Sequence, residues 1–139
     1  MLNNQERREL MRKFGKIFIE HVRDSTFKEI HNMSLGTLKD EKNEKLASAF
    51  SKLSEKDRES IKELSAYAVD TTIANILYLF DQHCLDLSKL NNFVIQLIYS
   101  ENGEYFDIND RSDGLVGELH TEDGWIAQFS AYDNSIETW

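Results

Sequence analysis

The chain has 139 residues, 40% hydrophobic and 29% charged, with a formal net charge of −9 at neutral pH. That is the balance of a folded chain long enough to bury a core, and it excludes a disordered polypeptide. The acidity argues against nucleic acid as a partner, a lone cysteine (Cys84) rules out a disulfide within the chain, and no apolar run reaches membrane-spanning length.

The first helix is predicted over Asn4–Arg23, where Leu10, Phe14, Ile17, Phe18, His21 and Val22 recur at helical spacing as one apolar stripe. Asp24-Ser25-Thr26 is expected to interrupt it. Thr26 and Glu29 have capping-box spacing and predict a short second helix through Ile30 and Met33. After the turn at 34–37, Asp40 is positioned to cap a third helix with Leu46, Ala49, Phe50 and Leu53 inward. Ser54 is a good cap for the longest helix, with Glu55 and Asp57 in its first turn, where negative charge is favoured. It is expected to reach about His83, with a kink near Asp70-Thr71-Thr72 and a well-covered second half.

The pattern then changes. Residues 93–99, Phe-Val-Ile-Gln-Leu-Ile-Tyr, are β-branched and aromatic, as a buried strand requires. Asn102-Gly103 is a strong two-residue hairpin signal, with 104–108 as the return strand. Ser112 and Thr121 are then expected to cap two short helices, one holding Leu115, Val116 and Leu119, the other Trp125, Ile126, Phe129 and Tyr132. No linker or repeat marks a boundary. The expected architecture is a single domain over 1–139, α+β and mostly α, with about four N-terminal helices, a C-terminal β-hairpin and one or two short terminal helices.

Charge is distributed unevenly along this plan. Residues 1–60 carry 13 Lys and Arg against 11 Asp and Glu, whereas 101–139 carry ten carboxylates against Arg111 alone. Such a field attracts cations and basic proteins. Arg8, Arg12 and Lys16 recur every fourth residue, roughly opposite the apolar stripe. With Glu9–Lys13 and Lys16–Glu20 as pairs, this is read as a solvated, salt-bridged face.

Candidate sites are few. The segment 107–114 holds Asp107, Asn109, Asp110 and Asp113, oxygen ligands suited to a hard cation. Neither possible frame fits an EF-hand, because Arg111 falls on a ligand position in both. The alternative is a polar connection in which Ser112 or Asp113 caps a helix. His21, His31, His83, His120 and Cys84 form no zinc spacing, and His21 is expected as a hydrogen-bonded core histidine. No phosphate loop, nucleophile elbow or other catalytic constellation is present, so neither a catalytic residue nor a cofactor is assigned. Gly117 is expected to let another element approach closely. Trp125 is read in two ways, as packing against the hairpin or, with Glu118, Glu122 and Asp123, as the core and rim of a binding patch.

The tail pattern DGLxGEL (113–119) followed by EDGWIxxFS (122–130) resembles that of small uncharacterised bacterial proteins, a resemblance that brings no activity with it. In size and acidity the chain is also similar to bacterial immunity proteins, which neutralise toxins. The leading expectation is a cytoplasmic, non-enzymatic binding protein that engages a basic protein through its acidic C-terminal surface. Two alternatives stay open. One is self-association, for instance as a homodimer, with a basic N-terminal helix against an acidic surface; the other is a metal or enzyme site at Asp107–Asp113.

Overall fold

The structure, a computed structural model, describes residues 4–81, 98–101, 103–107 and 114–132. In chain order these form α1 (Asn4–Phe18), a π-helical turn (Ile19–Asp24), α2 (Ser25–Ser34), α3 (Glu41–Ser51), α4 (Glu55–Phe80), β1 (Ile98–Glu101), β2 (Glu104–Asp107), α5 (Leu115–His120) and α6 (Trp125–Phe129). The fold is α+β and mostly helical, with one small antiparallel hairpin. No helix among the described residues is long and apolar enough to cross a membrane.

The predicted break at Asp24-Ser25-Thr26 does not occur. Asp24 (φ −67°, ψ −35°) and Ser25 (φ −62°, ψ −41°) keep helical dihedrals, and the chain widens into a π-turn instead of stopping. Thr26 is no cap either. Its hydroxyl donates back to the Val22 carbonyl at 2.7 Å, the interior arrangement of a helical threonine. The wider turn brings Ile19, Arg23 and Asp24, at i, i+4 and i+5, to the inside together.

The buried face of α1 overlaps the predicted stripe and is rotated from it. Leu10, Met11 and Gly15 are buried and Phe14, Phe18 and Val22 pack half-buried against the core, whereas Ile17 is 60% exposed and His21 is also exposed. His21 is therefore a surface histidine, because a glycine occupies the centre of the contact face and a tryptophan fills the space it leaves. Trp125 lies against Gly15 so closely that a Cβ there would overlap its indole. Phe14 packs on the same indole edge to face, with centroids 5.5 Å apart.

Two caps follow the sequence. Asp40 accepts from the Asn43 amide at 3.0 Å at the start of α3, and Ser54 accepts from the Asp57 amide at 3.2 Å at the start of α4. The predicted burial of α3 does not follow: none of its residues is buried, and Leu46 is 44% exposed. Helix α4 runs unbroken through Asp70-Thr71-Thr72, where Thr72 donates to the Ala68 carbonyl, and only Ile73 and Leu77 are buried along it. These two meet Leu115 and Leu119 of α5, Trp125 and Ile126 of α6, and Ile19 and Met11 in one core. Burying side chains of this size stabilises by about 1.5–3 kcal/mol each.

The hairpin forms as predicted, Glu101 pairing with Glu104 across a two-residue loop in which Gly103 has φ +83°. The predicted strand segment 93–97 and the Ser112 cap lie outside the described residues. Thr121 does not cap α6; it ends α5, and the Gly124 amide donates to its carbonyl at 2.8 Å. Gly117 is exposed with open space at its Cα, so the close approach expected there is made at Gly15.

Candidate functional site

Two polar arrangements stand out, one buried and one open. The buried one centres on Arg23, 1% exposed in the π-turn. Its Nε donates to Asp70 Oδ1 at 2.7 Å and a terminal nitrogen donates to Asp70 Oδ2 at 3.1 Å, a bidentate pair that fixes α4 against the π-turn. The other terminal nitrogen donates to Ser130 Oγ at 2.6 Å and to the Tyr132 carbonyl at 2.9 Å. Asp24 completes the set, accepting from Ser130 Oγ at 2.6 Å and from the Ala131 amide at 2.8 Å. The guanidinium lies over the Phe27 ring, 4.6 Å from its centroid. Each ionic group here is paired and hydrogen-bonded, as a buried charge must be. Its reach, from residue 23 to residue 132, makes it a fastening between the N-terminal helices and the end of the described chain.

A second fastening joins α4 to α5. Asp81, just beyond α4, accepts from the Leu115 amide at 2.9 Å and the Val116 amide at 3.2 Å. These are first-turn donors that α5 itself leaves unmet, since Gly114 (φ +131°) precedes it with no side-chain cap.

The open arrangement is a cleft of about 720 Å³ between α1 and the α5–α6 pair. Arg7, Arg8 and Arg12 line one wall, Glu118, Thr121, Asp123 and Gln128 the other, and the buried Met11 and Trp125 lie among the lining. Arg12 is held over the Phe129 ring, 5.3 Å from its centroid. None of the three arginines forms an ion pair among the described residues, and Arg7 Nε is shielded from solvent without a hydrogen-bond acceptor. The rotated face of α1 explains the cleft. Arg8 and Arg12, read from sequence as opposite the apolar stripe, flank the face that receives α6. Of the predicted helix pairs, Lys16–Glu20 is present at 3.9 Å between exposed side chains. Such a pair contributes little.

The residues assigned to a binding patch divide. Trp125 is 2% exposed and belongs to the core, its indole packed on Gly15 and Phe14 of α1 at the base of the cleft. Glu122 and Asp123 are exposed in the turn between α5 and α6, and Glu118 is half-buried beside them. Comparison with family models, curated proteins and solved structures finds no match.

Asp107 is described only in its backbone, while Asn109, Asp110 and Asp113, like Cys84 and His83, lie outside the described residues. Among the described residues no group of three or more His, Cys, Asp or Glu side chains is placed to hold a metal ion. Arg7, Arg23 and Asp81 were not singled out by the sequence. For Arg7 and Arg23 the signal is positional: once Gly15 is taken as the centre of the contact face, residues 7, 8, 11, 12, 19 and 23 fall on or beside it.

Proposed function

We propose that the protein is a non-enzymatic binding protein whose acidic C-terminal surface engages a basic protein, in the manner of a bacterial immunity or antitoxin-type inhibitor. The observation that carries this reading is the concentration of ten carboxylates against one cation in residues 101–139. A field of one sign steers a cationic partner and speeds its association. Glu122 and Asp123 support it by position, being solvent-facing in a turn braced from beneath by the buried Trp125. The indole contributes as scaffold, so the patch is polar at its centre.

The test is capture from a bacterial lysate at low and high ionic strength, with mass spectrometry of the eluate. Basic proteins held at about 50 mM salt should elute by about 300 mM, because charged surfaces separated by more than a Debye length are screened there. The double substitution Glu122→Lys, Asp123→Lys should abolish that capture. A specific partner retained at both salt concentrations, and by the charge-reversed variant, would overturn the reading.

A further inference from the structure

We propose that the cleft between α1 and the α5–α6 pair binds a small phosphate monoester on a polyhydroxylated body, of the size of a sugar phosphate. Three observations converge on this ligand class. The α1 wall carries three guanidinium groups, Arg7, Arg8 and Arg12, none paired with a carboxylate among the described residues. Arg7 Nε is withdrawn from solvent with no acceptor among the described residues, so the fold itself does not meet the hydrogen-bonding demand of this guanidinium. Arg12 is held on the Phe129 ring, which orients its planar fork while leaving the edge donors free.

Three positive groups suit a dianion better than a single carboxylate, and the guanidinium fork matches phosphate oxygens in pairs. The opposite wall supplies the complementary chemistry. Glu118 and Asp123 are acceptors, while Thr121 and Gln128 both donate and accept, the set that hydroxyl groups require. A purely anionic ligand is repelled by that wall, and a purely basic one by α1. A ligand with a phosphate at one end and hydroxyls at the other satisfies both. The volume, about 720 Å³, lies within the range of small-molecule sites.

The inference does not rest on the proposed protein partner. Glu122 is outside the cleft lining, so Glu122→Lys should impair protein capture and leave small-molecule binding unchanged.

Calorimetric titration with ribose 5-phosphate, inorganic phosphate and ribose tests it. Ribose 5-phosphate should bind with a Kd below about 1 mM, phosphate about tenfold more weakly, and ribose not measurably. Arg8→Gln should weaken ribose 5-phosphate about tenfold, and Arg8→Lys, which keeps the charge without the fork, should weaken it less. Glu118→Gln should reduce the sugar phosphate's advantage over phosphate. The proposal is overturned if ribose 5-phosphate does not bind at about 10 mM, if it binds no better than phosphate, or if both Arg8 variants, folded by circular dichroism, bind it as the unmodified chain does.

Discussion

The two ends of α4 live in different environments. Its last two turns bury Ile73 and Leu77 among residues of α1, α5, α6 and the π-turn. Its first eighteen residues bury none, and the neighbouring α3 buries none either, leaving Leu46, Ile61, Leu64 and Tyr67 exposed to 40% or more. Helix α3 and the start of α4 carry good caps and acidic first turns, whereas α5 and α6 have neither a side-chain cap of their own nor the length to persist alone. Local signals hold one region and tertiary packing the other. Amides of α3 should accordingly exchange with solvent faster than those of α6, despite the shorter helix in the second case.

The largest expected effect lies where the packed region depends on a buried charge. Asp70→Ala leaves Arg23, 1% exposed, without its bidentate partner and should destabilise the fold by about 3–5 kcal/mol, read from urea denaturation. Asp24 stays near the guanidinium, at 3.9 Å, but its oxygens are already engaged by Ser130 and Ala131. A loss below about 1 kcal/mol would mean that the fastening is ornamental and that packing alone holds the C-terminal segment.

Next comes the notch. Gly15→Ala adds a methyl that overlaps the Trp125 indole, and overpacking of this kind costs about 1–3 kcal/mol, more than the roughly 1 kcal/mol that alanine gains in a helix. Ala127→Gly, on the exposed face of α6, serves as the propensity control. If Gly15→Ala stabilises the protein, the close packing of α1 on α6 is wrong, and with it the position of the cleft wall.

What the sequence made legible was local. The caps at Asp40 and Ser54, the hairpin at Asn102-Gly103 and the mostly helical class all depend on residues near one another in the chain, whose preferences tertiary context did not override. What it concealed depended on partners far away. Nothing near Gly15 in the chain marks it as a contact; its partner, Trp125, lies 110 positions on. Asp24-Ser25-Thr26 reads as a stop because polar residues favour turns, yet Ser130 and Ala131 satisfy Asp24 and let the helix continue as a π-turn. Periodicity finds Leu10, Phe14, Phe18 and Val22 on the inward side of α1, but because it counts only large apolar residues it leaves out Gly15 and the flank where Arg8 and Arg12 border the cleft.

A smaller effect separates borrowed capping from local capping. Asp81→Ala removes the acceptor for the Leu115 and Val116 amides and should cost about 0.5–2 kcal/mol, with Asp81→Asn recovering part because its amide oxygen still accepts. Since α5 packs on α4 through Leu115 and Leu119, the loss should also lower hydrogen-exchange protection in α5 selectively. Uniform loss across the chain would place the cap in the global core instead.

The smallest effect belongs to the locally held region and depends on pH. Asp40 is held below the ordinary carboxylate range chiefly by the hydrogen bond from the Asn43 amide and then by that from the Asn43 side chain. A depressed folded-state value means that the ionised form supports the fold. The contribution is therefore complete above the unfolded aspartate's range and is lost as pH falls through the lower, folded value. Acidification across that window should release the N-terminus of α3, seen as faster exchange at Asn43 and Glu44. Asp40→Asn, which caps without ionising, should make α3 insensitive over the same interval while leaving its neutral-pH protection nearly unchanged. An α3 whose acid response survives that substitution would mean that its stability is set by contacts with α2 and not by its own cap.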